Sequence, residues 1–290
     1  LEDIRNTRKI RAVVLNGRYL DRAALDKLLA VAAASAGFTH KIGERLFLKR
    51  AVTVGKNIYG YRVYMPENFD AKKAYPVVLI LHGAGARGDD NERQTFSPLG
   101  SAIRRNPRQF DAFIAVFPQA RENTYWIGEM VDQAVKALEQ TVDEFKADPR
   151  RLYLTGNSLG GYGAWYTVAK YPGKFAALVP VSGGIFPLDT QTVAPEIRPL
   201  VPADMLKLYD AEDPYLAFAK MIGKTPTWIF HGSEDQTVPV SEARNMAQAL
   251  RAVKGDVRFT EYAGEGHGVG AKPYADAELW KWLLAQRLGK

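Results

Sequence analysis

Few residues in this 290-residue chain are set up to do chemistry, so each can be weighed singly. There is no cysteine, which excludes thiol catalysis, disulfides and cysteine-held metals. The best-placed nucleophile is the serine of Gly156-Asn157-Ser158-Leu159-Gly160-Gly161. An apolar run, Leu152–Leu154, precedes it, and a helical pattern, Leu159–Tyr171, follows. A strand that turns directly into a helix raises its serine above the sheet and tolerates only small neighbours. Gly156, Gly160 and Gly161 supply them. The turn also puts the serine at the positive end of a helix, where a developing oxyanion is favoured.

A serine hydroxyl needs a base, and the base needs an orienting acid. Only four histidines are available. His82 and His231 each close an apolar strand just before a glycine, and backbone hydrogen bonding is expected of them. His40 falls in a linker. His267 lies in Gly264-Glu-Gly-His-Gly-Val-Gly270, a glycine-rich loop that can carry an imidazole to the serine. Asp235, in His231-Gly-Ser-Glu-Asp235-Gln-Thr-Val-Pro239, follows another strand and completes the chain order Ser…Asp…His. Two backbone N–H groups must hold the oxyanion. Leu159 should give one. The loop His82-Gly-Ala-Gly85 should give the other, from Ala84 or, as second choice, Gly85. Tyr125 and Trp126, on the loop after the strand Phe113–Phe117, are candidate substrate contacts. Together these residues would perform acyl transfer through a serine nucleophile.

These loops need a scaffold. Continuous apolar strands at Val77–Leu81, Phe113–Phe117, Leu152–Leu154, Ala176–Val181, Trp228–Phe230 and Val257–Tyr262 alternate with helical patterns at Met130–Phe145, Leu159–Tyr171, Ser241–Val253 and Ala275–Leu288. Ser241 is read as an N-cap. The alternation implies a mostly parallel sheet covered on both faces, an α/β architecture. Leu46–Val54 and Tyr59–Met65 read as a hairpin through Gly55-Lys56-Asn57. Before them, residues 1–40 form an appendage: a strand Arg11–Leu15, a turn at Asn16-Gly17, a helix Asp21–Val31 and a linker. Residues 41–290 form the main domain. Within it the alternation stops at 185–224, where Pro187, Pro195, Pro199 and Pro202 mark an irregular insertion. It is either a lid or pocket wall, or a packed surface loop.

Gly83-Ala-Gly85-Ala-Arg-Gly88 also matches a dinucleotide fingerprint, but a polar turn, Asp89–Glu92, follows where a helix should open, so that reading fails. The same acidic run could ligate a cation, although a capped turn is the more common outcome. The net charge of +7 is concentrated at the start: residues 1–50 hold eleven Lys/Arg against five Asp/Glu, leaving the main body close to neutral. That pattern fits a solvated basic face rather than a nucleic-acid partner. No apolar run approaches the length of a bilayer span. The first residues lack the apolar core of a secretory signal. Compartment and oligomeric state are not legible.

From about Lys49 onward the chain resembles bacterial α/β-hydrolase esterases related to polyhydroxybutyrate depolymerases, feruloyl esterases and predicted peptidases. The resemblance rests on Leu79-Ile-Leu-His-Gly-Ala-Gly85 with Arg87-Gly-Asp-Asp-Asn91, on Arg151–Gly161, on His231–Asp235 with Val238-Pro239, and on Gly266-His267. It implies the α/β-hydrolase fold, a Ser158–Asp235–His267 triad and cofactor-free hydrolysis of carboxylic esters. Ala86 departs from the pattern, since relatives often carry Glu there. Residues 1–31 are similar to the C-terminal tail of metal-dependent amidohydrolases, but the metal-binding part is missing, so no metal chemistry carries over. Two other readings remain: a serine peptidase acting on short peptides, and a binding module on a hydrolase scaffold.

Overall fold

The computed structural model describes residues 12–15, 18–21, 23, 46–186 and 193–289. It divides into two units, Leu1–Arg45 and Leu46–Lys290. In the first, Ala12–Leu15 (β1) pairs antiparallel with Arg18–Asp21 (β2), Leu15 facing Arg18. The expected helix starting at Asp21 is corrected, because Asp21 ends a strand. Asn-Gly favours a two-residue hairpin, so the chain after it pairs back instead of coiling. Ala23 is helical, and the rest of that expected helix, the linker and His40 lie outside the described residues.

In the second unit, Phe47–Val54 (β3) and Asn57–Tyr64 (β4) form the expected hairpin. Asn57 pairs with Val54, so the turn is only Gly55-Lys56, with Gly55 at φ +56. Then come Val77–Leu81 (β5), Ile114–Pro118 (β6), Leu152–Asn157 (β7), Ala177–Val181 (β8), Thr227–Gly232 (β9) and Val257–Tyr262 (β10). The sheet order is β10-β9-β8-β7-β5-β6-β4-β3. The six strands from β5 to β10 are parallel, and the β3–β4 hairpin joins antiparallel at β6. This is the doubly covered α/β sheet that the apolar strands required.

The helices are Pro98–Arg105 (α1), Glu129–Phe145 (α2), Leu159–Lys170 (α3), Ala203–Tyr209 (α4), Pro214–Ile222 (α5), Val240–Ala252 (α6), Ala271–Ala275 (α7) and Ala277–Ala285 (α8). Because strand side chains alternate, β5 splits between two cores. Val77, Leu79 and Leu81 pack with residues of α2 to α6, whereas Val78 and Ile80 pack with residues of α1, α7 and α8. Each face is thereby dry, and β7, at the sheet's centre, has every residue buried up to Gly156.

Several boundaries shift. The helix α6 begins at Val240 after Pro239, and Ser241 makes no cap. The last helical pattern breaks at Asp276, whose carboxylate accepts the Glu278 N–H and restarts the chain as α8. The insertion is partly regular: α4 and α5 occupy it, α5 capped by Asp213 accepting from the Leu216 N–H. Prolines hid this helix, since Pro214 at its first position reads as a breaker but suits a helix start. Among the described residues, no helix is long and apolar enough to cross a membrane.

Candidate active site

Three consecutive features build the site from the middle of the sheet outward. First, β7 runs into α3 through Ser158, which is held at φ +57 and ψ −120, a conformation that side chains rarely adopt. The Ser158 carbonyl accepts the N–H groups of Gly161 and Tyr162, closing the first turn of α3 beneath the hydroxyl. The glycines around it are steric necessities. A Cβ on Gly156 would lie 2.0 Å from the Gly160 carbonyl, and one on Gly160 would lie 1.8 Å from the Leu81 carbonyl. The helix therefore rests directly on backbone of β7 and β5.

Second, the loop after β9 places Asp235. Asp235 Oδ1 accepts the N–H groups of Thr237 and Val238 at 2.9 and 2.8 Å, and its side chain is fully buried. Oδ2 is left to accept from His267 Nδ1 at 2.7 Å. A carboxylate with two backbone donors and an imidazole donor is satisfied without water and fixed in angle. Third, the loop after β10 delivers His267, whose Nε2 stands 2.8 Å from Ser158 Oγ. Since the carboxylate accepts, Nδ1 carries the proton, and Nε2 is the acceptor for the serine hydroxyl. The three residues singled out from the sequence thus meet in one hydrogen-bonded line, although 109 positions separate Ser158 from His267.

The structure adds a second imidazole to the acid. His231 Nε2 lies 2.9 Å from the Val238 carbonyl, to which it donates, and 3.3 Å from Asp235 Oδ2. Its backbone bond was expected, but its closeness to Asp235 was not. The four-residue spacing across a tight turn is the signal that could have revealed it. Burial lowers its pKa and so favours the neutral imidazole.

His82 is the other buried imidazole. Its Nε2 accepts the Ala120 N–H at 3.0 Å, which leaves the proton on Nδ1 for the Gly83 carbonyl at 2.7 Å. Burial pushes its pKa down to about 4. Trp126 lies against it. The two rings meet edge-on at 4.9 Å, and the indole N–H donates to the His82 carbonyl at 2.9 Å. Trp126 is 1 % exposed, which corrects the expectation that it touches substrate. It braces the loop after β5 from below, and an indole N–H buried in a core must find such an acceptor. Tyr125 beside it is half-buried.

That loop carries the other candidate donors. Among the backbone hydrogen bonds of turns and loops, none uses the N–H of Ala84, Gly85 or Leu159. The run Gly83–Gly88 makes a short turn of 3₁₀ helix at Ala84–Ala86, not the long helix of a dinucleotide site. Asp90 Oδ1 accepts from the N–H groups of Glu92 and Arg93 and from Gln119 Nε2, so the acidic run is a capped turn. Ala86, the departure from the resemblance, donates its N–H to the Gly83 carbonyl and accepts from Gln119 at its own carbonyl.

A groove of about 450 Å³ opens beside Ser158, lined by Gly83, Gly85, Ala86, Arg93, Phe96, Ser97, Pro98 and Asn157. On the α3 flank of Ser158, Tyr125, Trp126, Leu159, Tyr162 and Ile185 leave a crevice of only about 10 Å³. None of the groove's outer wall at 93–98 was anticipated, because those residues carry no periodic pattern.

A parallel α/β sheet with a Ser–His–Asp line across three strand ends defines a serine hydrolase of the α/β-hydrolase fold. Residues 117–289 match the model of peptidase family S9, the prolyl oligopeptidase family, and the chain belongs to it. Among curated relatives, dipeptidyl-peptidase 5 of Aspergillus fumigatus is 27% identical over 234 residues, which cover 73% of this chain and 31% of that protein. Poly(3-hydroxyalkanoate) depolymerase C of Paucimonas lemoignei is 27% identical over 221 residues, 68% of this chain and 46% of that one. The solved structure of a thermostable esterase superposes with a TM-score of 0.68 at 26% identity, covering 84% of this chain and 64% of that chain. The chain thus spans about a third to a half of these curated relatives' lengths. Esterases and peptidases both stand among its relatives, as the resemblance implied.

Proposed function

We propose that the chain is a serine carboxylesterase acting on small-molecule esters, with residues 41–290 as its catalytic domain and 1–40 as an appendage. Ser158 loses its proton to His267 Nε2 as Oγ bonds to the ester carbonyl carbon. The oxyanion that forms is held by the N–H groups of Leu159 and of Ala84, with Gly85 as the alternative. As the tetrahedral intermediate collapses, the alcohol oxygen takes the proton from His267 and leaves an acyl group on Ser158. Water then repeats the sequence, giving up a proton to His267 and releasing the acid. Asp235 holds the imidazole in the productive tautomer and stabilises its cationic form.

The observation that favours an ester over a peptide is the extent of the likeness: the chain spans 64% of the thermostable esterase but 31% of dipeptidyl-peptidase 5. The test is a panel of p-nitrophenyl esters from acetyl to dodecanoyl beside aminoacyl and dipeptidyl amides. Ester turnover that exceeds amide turnover, and that falls by roughly a thousandfold or more in Ser158→Ala, is the expected outcome. Amide turnover in preference to every ester would replace this reading with the peptidase one, and no turnover of either would leave a binding module.

A further inference from the structure

We infer that Phe96 is the aromatic floor of a leaving-group subsite, and that the enzyme prefers esters whose alcohol half carries a flat aromatic group. This rests on the esterase reading and specifies it.

Among the described residues four large apolar side chains are exposed: Ile58, Phe96, Leu200 and Met221. Phe96 is the only aromatic one, and it alone lines the groove beside Ser158. At 49 % exposure it leaves about half its surface in water, an unfavourable arrangement unless something covers it. It is also rigidly built. The Arg104 guanidinium sits over the ring at 4.3 Å from its centre. Arg104 is fixed in turn by Thr95, whose hydroxyl and carbonyl accept from it, and by the ring of Phe47 at 4.8 Å. The Phe96 carbonyl accepts from Ser101 Oγ. One face of the ring is therefore taken by a cation, and the ring cannot fold away. A cation on one face draws electron density from the ring, so the open face suits a flat, electron-rich partner.

The groove's place relative to the base decides which half of the ester it holds. Gly83 and Asn157 form its inner end: a Cβ on Gly83 would lie 3.7 Å from Ser158 Cβ. Its outer wall, Pro98, abuts the loop of His267, since a Cβ on Gly270 would lie 3.0 Å from Pro98 and 2.5 Å from Asn157 Oδ1. The general acid must meet the leaving oxygen. The alcohol half therefore lies toward the base loop, in the groove, and the acyl half faces the narrow α3 flank.

The test holds the acyl group constant. Wild type, Phe96→Ala and Phe96→Tyr are compared on 2-naphthylmethyl acetate, cyclohexylmethyl acetate and ethyl acetate, alcohols of similar leaving ability. Phe96→Ala should lower kcat/KM about tenfold on the naphthylmethyl ester, the scale of a lost aromatic pair plus its buried area. It should change ethyl acetate less than about twofold, and Phe96→Tyr should keep the wild-type ranking. Equal losses on all three esters, or no loss on any, would overturn the subsite while leaving the esterase intact. A wild type inactive on every ester yet active on amides would overturn the esterase reading and the subsite with it.

Discussion

The turn at Ser158 and the insertion after β8 border the same candidate site but are held in opposite ways. At the turn, backbone packs on backbone: Gly160 sits so close to the Leu81 carbonyl that no side chain fits. The insertion hangs instead from a buried side chain. Glu242, on α6 and 4 % exposed, accepts the Ile185 N–H at 2.8 Å and the Tyr215 hydroxyl at 2.5 Å. Around this staple Phe186, Tyr209, Tyr215 and Phe218 contact one another ring to ring. The first arrangement admits no substitution and so leaves a mark on the sequence. The second depends on polar partners far apart in the chain, and many residue choices could replace it.

Substitutions should separate the two. Gly160→Ala should prevent stable folding, a loss above about 4 kcal/mol, because the clash is with backbone that cannot move. Soluble protein with a near-native urea midpoint would break the contrast at its strongest point. Glu242→Ala should cost about 2 kcal/mol, since it strands the buried Ile185 N–H. The loss should be visible in the urea midpoint, and the sheet should still form.

The loop after β5 offers an intermediate case. His82 has a folded pKa of about 4 against 6.5 unfolded. Between those values the unfolded chain binds the extra proton, so stability rises with pH there. It is fully present above pH 6.5 and lost as pH falls toward 4. Acidifying from pH 7.5 to 5 should remove roughly 2 kcal/mol through this group. Denaturant curves of His82→Gln should lack that share of the slope, because an amide can accept from Ala120 without titrating. The smallest effect expected is a gain. Ser158→Gly should abolish turnover yet stabilise the fold by about 1 kcal/mol, since glycine adopts a positive φ without strain. An unchanged or lower Tm would mean that the turn stores no strain.

Much of the site was legible because its parts obey local rules. Gly156-x-Ser158-x-Gly160 marks a crowded turn, apolar runs of five mark buried strands, and the order Ser…Asp…His narrows four histidines to one. Trp126 was misread because an exposed-looking loop position does not reveal that its indole is needed under His82. The helix α5 was missed because Pro214 signals a break and a start alike. Phe96 was invisible, since a lone aromatic in a polar stretch acquires meaning only when Arg104, eight residues on, folds over it.

The sequence by itself determined the alternation of strands and helices, the backbone crowding at Ser158 and the identity of the residues that could act. These are short-range consequences of side-chain size, periodicity and chain order. Only the tertiary structure decided which side of Ser158 is open, which aromatic is buried and which is bare, and how a second histidine comes to rest beside Asp235. Those outcomes depend on contacts between segments tens to hundreds of residues apart, where packing against a particular neighbour sets the result.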